Sequence, residues 1–99
     1  MKVLVVDDEV DLAEAVREVL SAEGFTVRLA HNAESGLALL RTWQTDAVLL
    51  DIMMPGSMTG LDALRALRPE SDVPVILMSA RGQEHDKVLG LEYADDYLV

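Results

Sequence analysis

The stretch Ala47, Val48, Leu49, Leu50, Asp51 constrains this chain more than any other. Four apolar side chains in succession leave no polar alternation. The segment therefore reads as a strand buried on both faces, and such strands belong to parallel sheets covered by helices on each side. It ends on a carboxylate and runs into Ile52, Met53, Met54, Pro55 and Gly56. In an open parallel α/β sheet, ligands bind in the crevice outside the carboxyl ends of the strands, so Asp51 is presented rather than hidden. A second run, Lys2 followed by Val3, Leu4, Val5 and Val6, behaves likewise and stops at Asp7, Asp8 and Glu9. Two buried strands that both end in carboxylates predict one acidic pocket.

The rest of the chain alternates helix and strand. After the first strand, Asp8 or Glu9 can cap a helix over about 10–23, with Val10, Ala13, Val16 and Leu20 on one stripe, and Gly24 supplies a left-handed stop. Residues 25–30 alternate apolar and polar side chains, the pattern of a strand with one wet face at a sheet edge. Asn32 can cap a second helix over about 33–43, where Leu37, Leu40 and Trp43 recur at helical spacing. The central strand follows at 46–50, then a loop, then a short helix over about 61–68 ended by Pro69. Pro74 opens a fourth strand, Val75, Ile76, Leu77 and Met78, which delivers Ser79 to its carboxyl end. A fourth helix over about 83–92 and a fifth strand at 96–99 complete the reading. Five strands alternating with four helices predict a doubly wound parallel α/β sheet.

Composition narrows the function. With 99 residues, 51% of them hydrophobic, residues 1–99 form one domain with one packed core. The excess of 18 acidic over 8 basic residues argues against the basic face that nucleic acid or an anionic membrane requires, and favours a protein or cationic partner. There are no cysteines, which excludes disulfides and thiolate metal sites. Only four apolar residues separate Lys2 from Asp7, too few for a signal-peptide core, and no run approaches membrane-spanning length, so a cytoplasmic protein is expected.

Asp7, Asp8 and Asp51 gathered at adjacent strand ends would repel one another, and such a group either raises a pKa or recruits a cation. A hard divalent ion with oxygen ligands answers this, and magnesium suits one or two carboxylates, waters and an incoming phosphate. A carboxylate beside such an ion can act as a nucleophile toward phosphorus, and Ser79 can offer its hydroxyl to a phosphoryl oxygen. The competing structural role for Asp7 and Asp8 is to cap the helix that follows.

The sequence Val5, Val6, Asp7, Asp8, Glu9, the run from Leu50 and Asp51 to Pro55 and Gly56, the pair Ser79 and Ala80, and the run from Ala94, Asp95, Asp96 and Tyr97 to Val99 resemble the motifs of the response-regulator receiver domain of two-component signalling, in the family's order. The resemblance implies the flavodoxin-like strand order 2-1-3-4-5. It implies that Asp51 accepts a phosphoryl group from a sensor histidine kinase. Asp7 and Asp8 would hold magnesium together with Asp51 and the backbone carbonyl of Met53. Ser79 would be the switch hydroxyl, Ala80 the small residue leaving access to the phosphate, and Tyr97 the aromatic switch. Such a domain is a signalling module rather than an enzyme. It would act on an output domain or downstream protein through its fourth helix and fifth strand, with no direct nucleic-acid or membrane contact of its own. Two alternatives are a truncated receiver used only for protein contacts and a phosphatase of the haloacid dehalogenase type. The latter wants a second aspartate two residues after the nucleophile, where this chain has Met53.

Three departures stand out. The segment from Asp51 to Gly60 is one residue longer than usual, so residues 56–59 are expected to bulge beside the site, and Tyr93 replaces the family's usual glycine. The chain also ends at Val99, one position before the family's lysine and before its fifth helix. An uncovered sheet face would then expose Val3, Val5 or their neighbours, Val48 or Leu50, and Leu98, forgoing on the order of 10 kcal/mol of burial. Self-association, exchange of a terminal element or a loosely packed state would follow. The remaining singular residues read as structural. His31 and His85 sit in exposed polar stretches, Met54, Met58 and Met78 pack in core or loop, Trp43 anchors a helix end, and Gly56 and Gly60 are turn glycines.

Overall fold

The computed structural model describes residues 1–51, 54 and 56–78, together with the backbone of 96–98. In chain order the elements are β1 (Lys2–Val6), α1 (Val10–Ala22), β2 (Thr26–Ala30), α2 (Ala33–Thr42), β3 (Ala47–Asp51), α3 (Gly60–Leu67), β4 (Val75–Met78) and β5 (Asp96–Leu98). The fourth helix expected over 83–92 lies outside the described residues. All five strands join one parallel sheet in the order β2-β1-β3-β4-β5, the doubly wound arrangement. The alternating β2 is an edge strand, as its pattern requires.

Local chemistry explains most boundaries. Asn32 caps α2, its side chain accepting from the Ser35 amide at 2.7 Å. Thr59 caps α3 in a reciprocal box, its hydroxyl accepting from the Asp62 amide and the Asp62 carboxylate accepting from the Thr59 amide, both at 3.1 Å. Gly24 ends α1 at φ +96°, a conformation that costs a residue without Cβ little. Gly60, expected in a turn, is instead the buried first residue of α3, because the capping box starts the helix at Thr59. Of residues 56–59, Gly56 and Ser57 are exposed while Met58 and Thr59 are partly buried. Gly56 turns the chain at φ +127°, Met58 packs back on the core and Thr59 is committed to its cap.

The register assigns each strand residue to a face. Val6, Leu50 and Leu77 are lateral neighbours, as are Leu4, Val48 and Val75, and α2 and α3 cover this side. Val3 and Val5 point the other way, with Leu49 and Met78, toward α1. Burial at Val3, Val5, Val48 and Leu50 is nearly complete, none exceeding 5% exposure, which overturns the expectation that they face water. The reason is twofold: α1 lies directly on β1 and β2, and Val48 and Leu50 belong to the side that α2 and α3 close. The side chain of Leu98 lies outside the described residues. Along α1, Ala13 is buried and Val16 and Leu20 are half-buried, but Val10, in the first turn beyond the strand ends, is 51% exposed rather than part of the inner stripe.

Candidate metal and phosphoryl site at the switch point

The order β2-β1-β3 means that the chain leaves β1 in one direction to build β2 and returns on the other side of β1 to build β3. Helices on the two connections therefore diverge, and a crevice opens between the carboxyl ends of β1 and β3. Both strands end in carboxylates there. Asp7, Asp8 and Asp51 each offer a carboxylate oxygen within 4.8 Å of the others. Sequence reasoning assembled this trio, and the fold brings it together.

Asp7 is the buried member, 3% exposed. Its amide donates to the Ala30 carbonyl at 2.9 Å, its Oδ1 accepts from the Glu9 amide at 3.0 Å, and its carbonyl accepts from Nδ1 of His31 at 3.1 Å. The capping role considered for the acidic pair is not realised. Glu9 occupies the cap position of α1 and makes no side-chain capping bond, so Asp8 is not spent on the helix. Three anionic oxygen donors with no sulfur or imidazole among them fit a hard divalent ion such as magnesium. Met53, Ser79, Ala80, Tyr93 and His85 lie outside the described residues. Tyr97 is placed by its backbone on β5, paired with Leu77 of β4.

Two residues carry more than sequence reasoning assigned to them. His31 is exposed, as expected, yet its ring reaches the acidic loop. The strand register brings it there: Ala30 pairs with Val6, so the residue after Ala30 lies beside Asp7. Trp43 does cap the end of α2, and its ring also lies beneath two cations, with Arg28 Cζ 4.8 Å and Lys2 Nζ 5.9 Å from its centroid.

A parallel sheet of this order with an acidic trio at its switch point defines the class, and comparison with known proteins names it. Residues 3–99 match the model of the response regulator receiver domain, and the chain belongs to that family, the signal-receiving module of two-component systems. It is 50% identical over 98 residues to the transcriptional regulatory protein CpxR of Klebsiella pneumoniae, covering 98% of this chain and 41% of that protein. To the DNA-binding response regulator MtrA of Mycolicibacterium paratuberculosis it is 43% identical over 99 residues, covering 99% of this chain and 44% of the relative. The chain thus spans about two fifths of the length of these relatives. Among solved structures, the response regulator TrrA of Thermotoga maritima in complex with Mg2+-BeF superposes with a TM-score of 0.89 at 35% identity, covering 99% of this chain and 84% of that one. The Francisella response regulator 1452 receiver domain gives 0.89 at 33%, covering 98% and 81%. Receiver domains are signalling domains, and members of the family typically bind magnesium at an acidic pocket. No helix among the described residues is long and apolar enough to cross a membrane.

Proposed function

We propose that this domain accepts a phosphoryl group on Asp51 from a phospho-histidine of a sensor kinase, and that Asp7, Asp8, Asp51 and the Met53 backbone carbonyl hold magnesium beside it. The observation that carries the reading is the convergence of three carboxylate oxygens at the switch-point crevice. An Asp51 oxygen forms the bond to phosphorus as the phosphorus–nitrogen bond breaks, and the released imidazole leaves as the neutral ring once it has taken a proton. Bound magnesium supplies positive charge against which the phosphoryl oxygens are transferred. Asp7, tied by three hydrogen bonds through its amide, carbonyl and carboxylate, keeps one ligand in place before the ion arrives. On the family resemblance, Ser79 then binds a phosphoryl oxygen, Ala80 leaves the approach open, and Tyr97 follows the hydroxyl inward, which biases the face of the fourth helix and β5 between two states. The domain in this reading is not an enzyme acting on a separate substrate. The names of CpxR and MtrA support a transcriptional output controlled by DNA binding elsewhere in the whole protein.

Treatment with acetyl phosphate and magnesium, followed by peptide mass spectrometry, tests this. A single adduct on Asp51, lost in Asp51→Asn, is the expected result. Modification of Asp7 or Asp8 with Asp51 untouched would sink the assignment.

A further inference from the structure

His31 has so far entered only as one of the three hydrogen-bond partners of Asp7, and its geometry gives it a further role. The ladder between β1 and β2 reaches its last registered pair at Val6 and Ala30. One more backbone bond follows, from the Asp7 amide to the Ala30 carbonyl, and the next acceptor along β1, the Asp7 carbonyl, is met by the His31 ring at 3.1 Å. A carbonyl can only accept, so Nδ1 carries the proton and donates. That carbonyl belongs to the peptide group joining Asp7 to Asp8. A planar peptide has no internal freedom, so holding its oxygen sets the direction in which the chain leaves Asp7 and the place from which Asp8 projects. The Asp7 side chain is separately tied to the Glu9 amide, which leaves the torsions on either side of the linking peptide as the place where the pair could rotate apart.

We propose that His31 is a positioning residue for the acidic pair: by donating from Nδ1 to the Asp7 carbonyl, it holds Asp7 and Asp8 in the arrangement that receives a divalent cation. It touches neither ion nor phosphoryl group and acts through the backbone. The inference rests on the magnesium reading above and adds a residue to it. Partners one step removed from a metal commonly tune affinity by fixing ligand orientation, and here the fixed group is the peptide between two ligands.

Substitutions of matched shape separate the hydrogen bond from the bulk. In His31→Asn the amide nitrogen occupies the place of Nδ1 and can donate, whereas His31→Leu fills similar space with no donor. The probe is magnesium chloride alone, titrated into the 99-residue domain while the Asp8 and Glu9 amides are followed by NMR, with Asp8→Ala as the metal-site control. Loss of one neutral hydrogen bond should weaken magnesium binding by about three- to tenfold in His31→Leu, while His31→Asn stays within about twofold of the parent. In the parent at a pH where the ring is neutral, nitrogen chemical shifts should show the proton on Nδ1, a signature that packing alone would not produce. Equal binding by the parent and His31→Leu, or equal weakening in both variants, would overturn the positioning role and leave the metal site standing. A parent that shows no saturable response sensitive to Asp8→Ala would overturn the metal reading itself, and this inference with it.

Discussion

The two faces of the sheet are built from alternate residues of the same strands, yet they are buried to different depths. On the side of α2 and α3, the six strand residues Leu4, Val6, Val48, Leu50, Val75 and Leu77 are each no more than 4% exposed. On the side of α1, Val3 and Val5 are as deeply buried, but Leu49, Ile76 and Met78 are only half-buried, and Val19 on α1 is 64% exposed. Leu49 and Leu50 are neighbours in one strand and chemically identical. The difference between them follows helix coverage: α2 and α3 pack together over the centre of the sheet, whereas among the described residues α1 makes its main contacts with β1 and β2. Burial along a doubly covered strand is thus a property of what lies above it, not of its sequence.

The widest consequence should appear in that pair of leucines. Leu50→Ala, which empties a closed core, should cost about 2–5 kcal/mol of unfolding free energy, and Leu49→Ala should cost less by at least about 1 kcal/mol, because part of its surface is already wet. Urea denaturation midpoints at constant slope would measure both. Equal costs would break the comparison.

A smaller effect should sharpen it at Gly36. A Cβ built there would lie 2.9 and 3.0 Å from the two γ-methyls of Val6, so α2 sits close on β1 only because the residue has no side chain. Gly36→Ala should therefore destabilise by about 1–2 kcal/mol, the overpacking exceeding the gain in helix propensity. A stabilised variant in the same urea titration would mean that α2 is not seated as tightly as described.

Smallest is the clasp on the outer rim of the closed side. Arg41 of α2 pairs with Glu70 beyond α3, at 3.1 and 2.8 Å, and this hydrogen bond and charge hold the Glu70 carboxyl below the usual carboxylate range. Asp62 is lowered as well, first by the Thr59 amide and then by the Thr59 hydroxyl. Both folded-state values lie below the unfolded ones, so their stabilisation is complete above the ordinary carboxylate range and is lost as pH falls through the lowered values. Acid titration of the melting temperature should accordingly flatten in Glu70→Gln, by a small amount because the pair is exposed to solvent. An unchanged acid limb would mean that the clasp adds nothing to stability.

The strands, the caps at Asn32 and Gly24 and the trio Asp7, Asp8 and Asp51 are legible in the sequence, because each depends on near neighbours in the chain. Short apolar runs bounded by carboxylates, an Asn ahead of an amphipathic stretch and a Gly after one are local signals. The strand order came from the resemblance of motifs rather than from the runs themselves. Other features are not legible there. A strand buried on both faces carries no alternation, so nothing in Ala47 to Leu50 says which leucine turns toward α1. Register with β1 and β4 decides it, and that decision reversed the expected exposure of Val48 or Leu50, both of which are buried.

At the site the same division holds. The sequence by itself determined which carboxylates stand at strand ends, since an apolar run and the residue that stops it are contiguous. Only the tertiary structure decided that Glu9 rather than Asp8 takes the cap position, and that His31 reaches the Asp7 carbonyl across 24 residues of chain. A hydrogen bond between groups so far apart in sequence forms only after β1 and β2 have paired, and the partner is a backbone oxygen that every residue type possesses. No side-chain pattern can announce it.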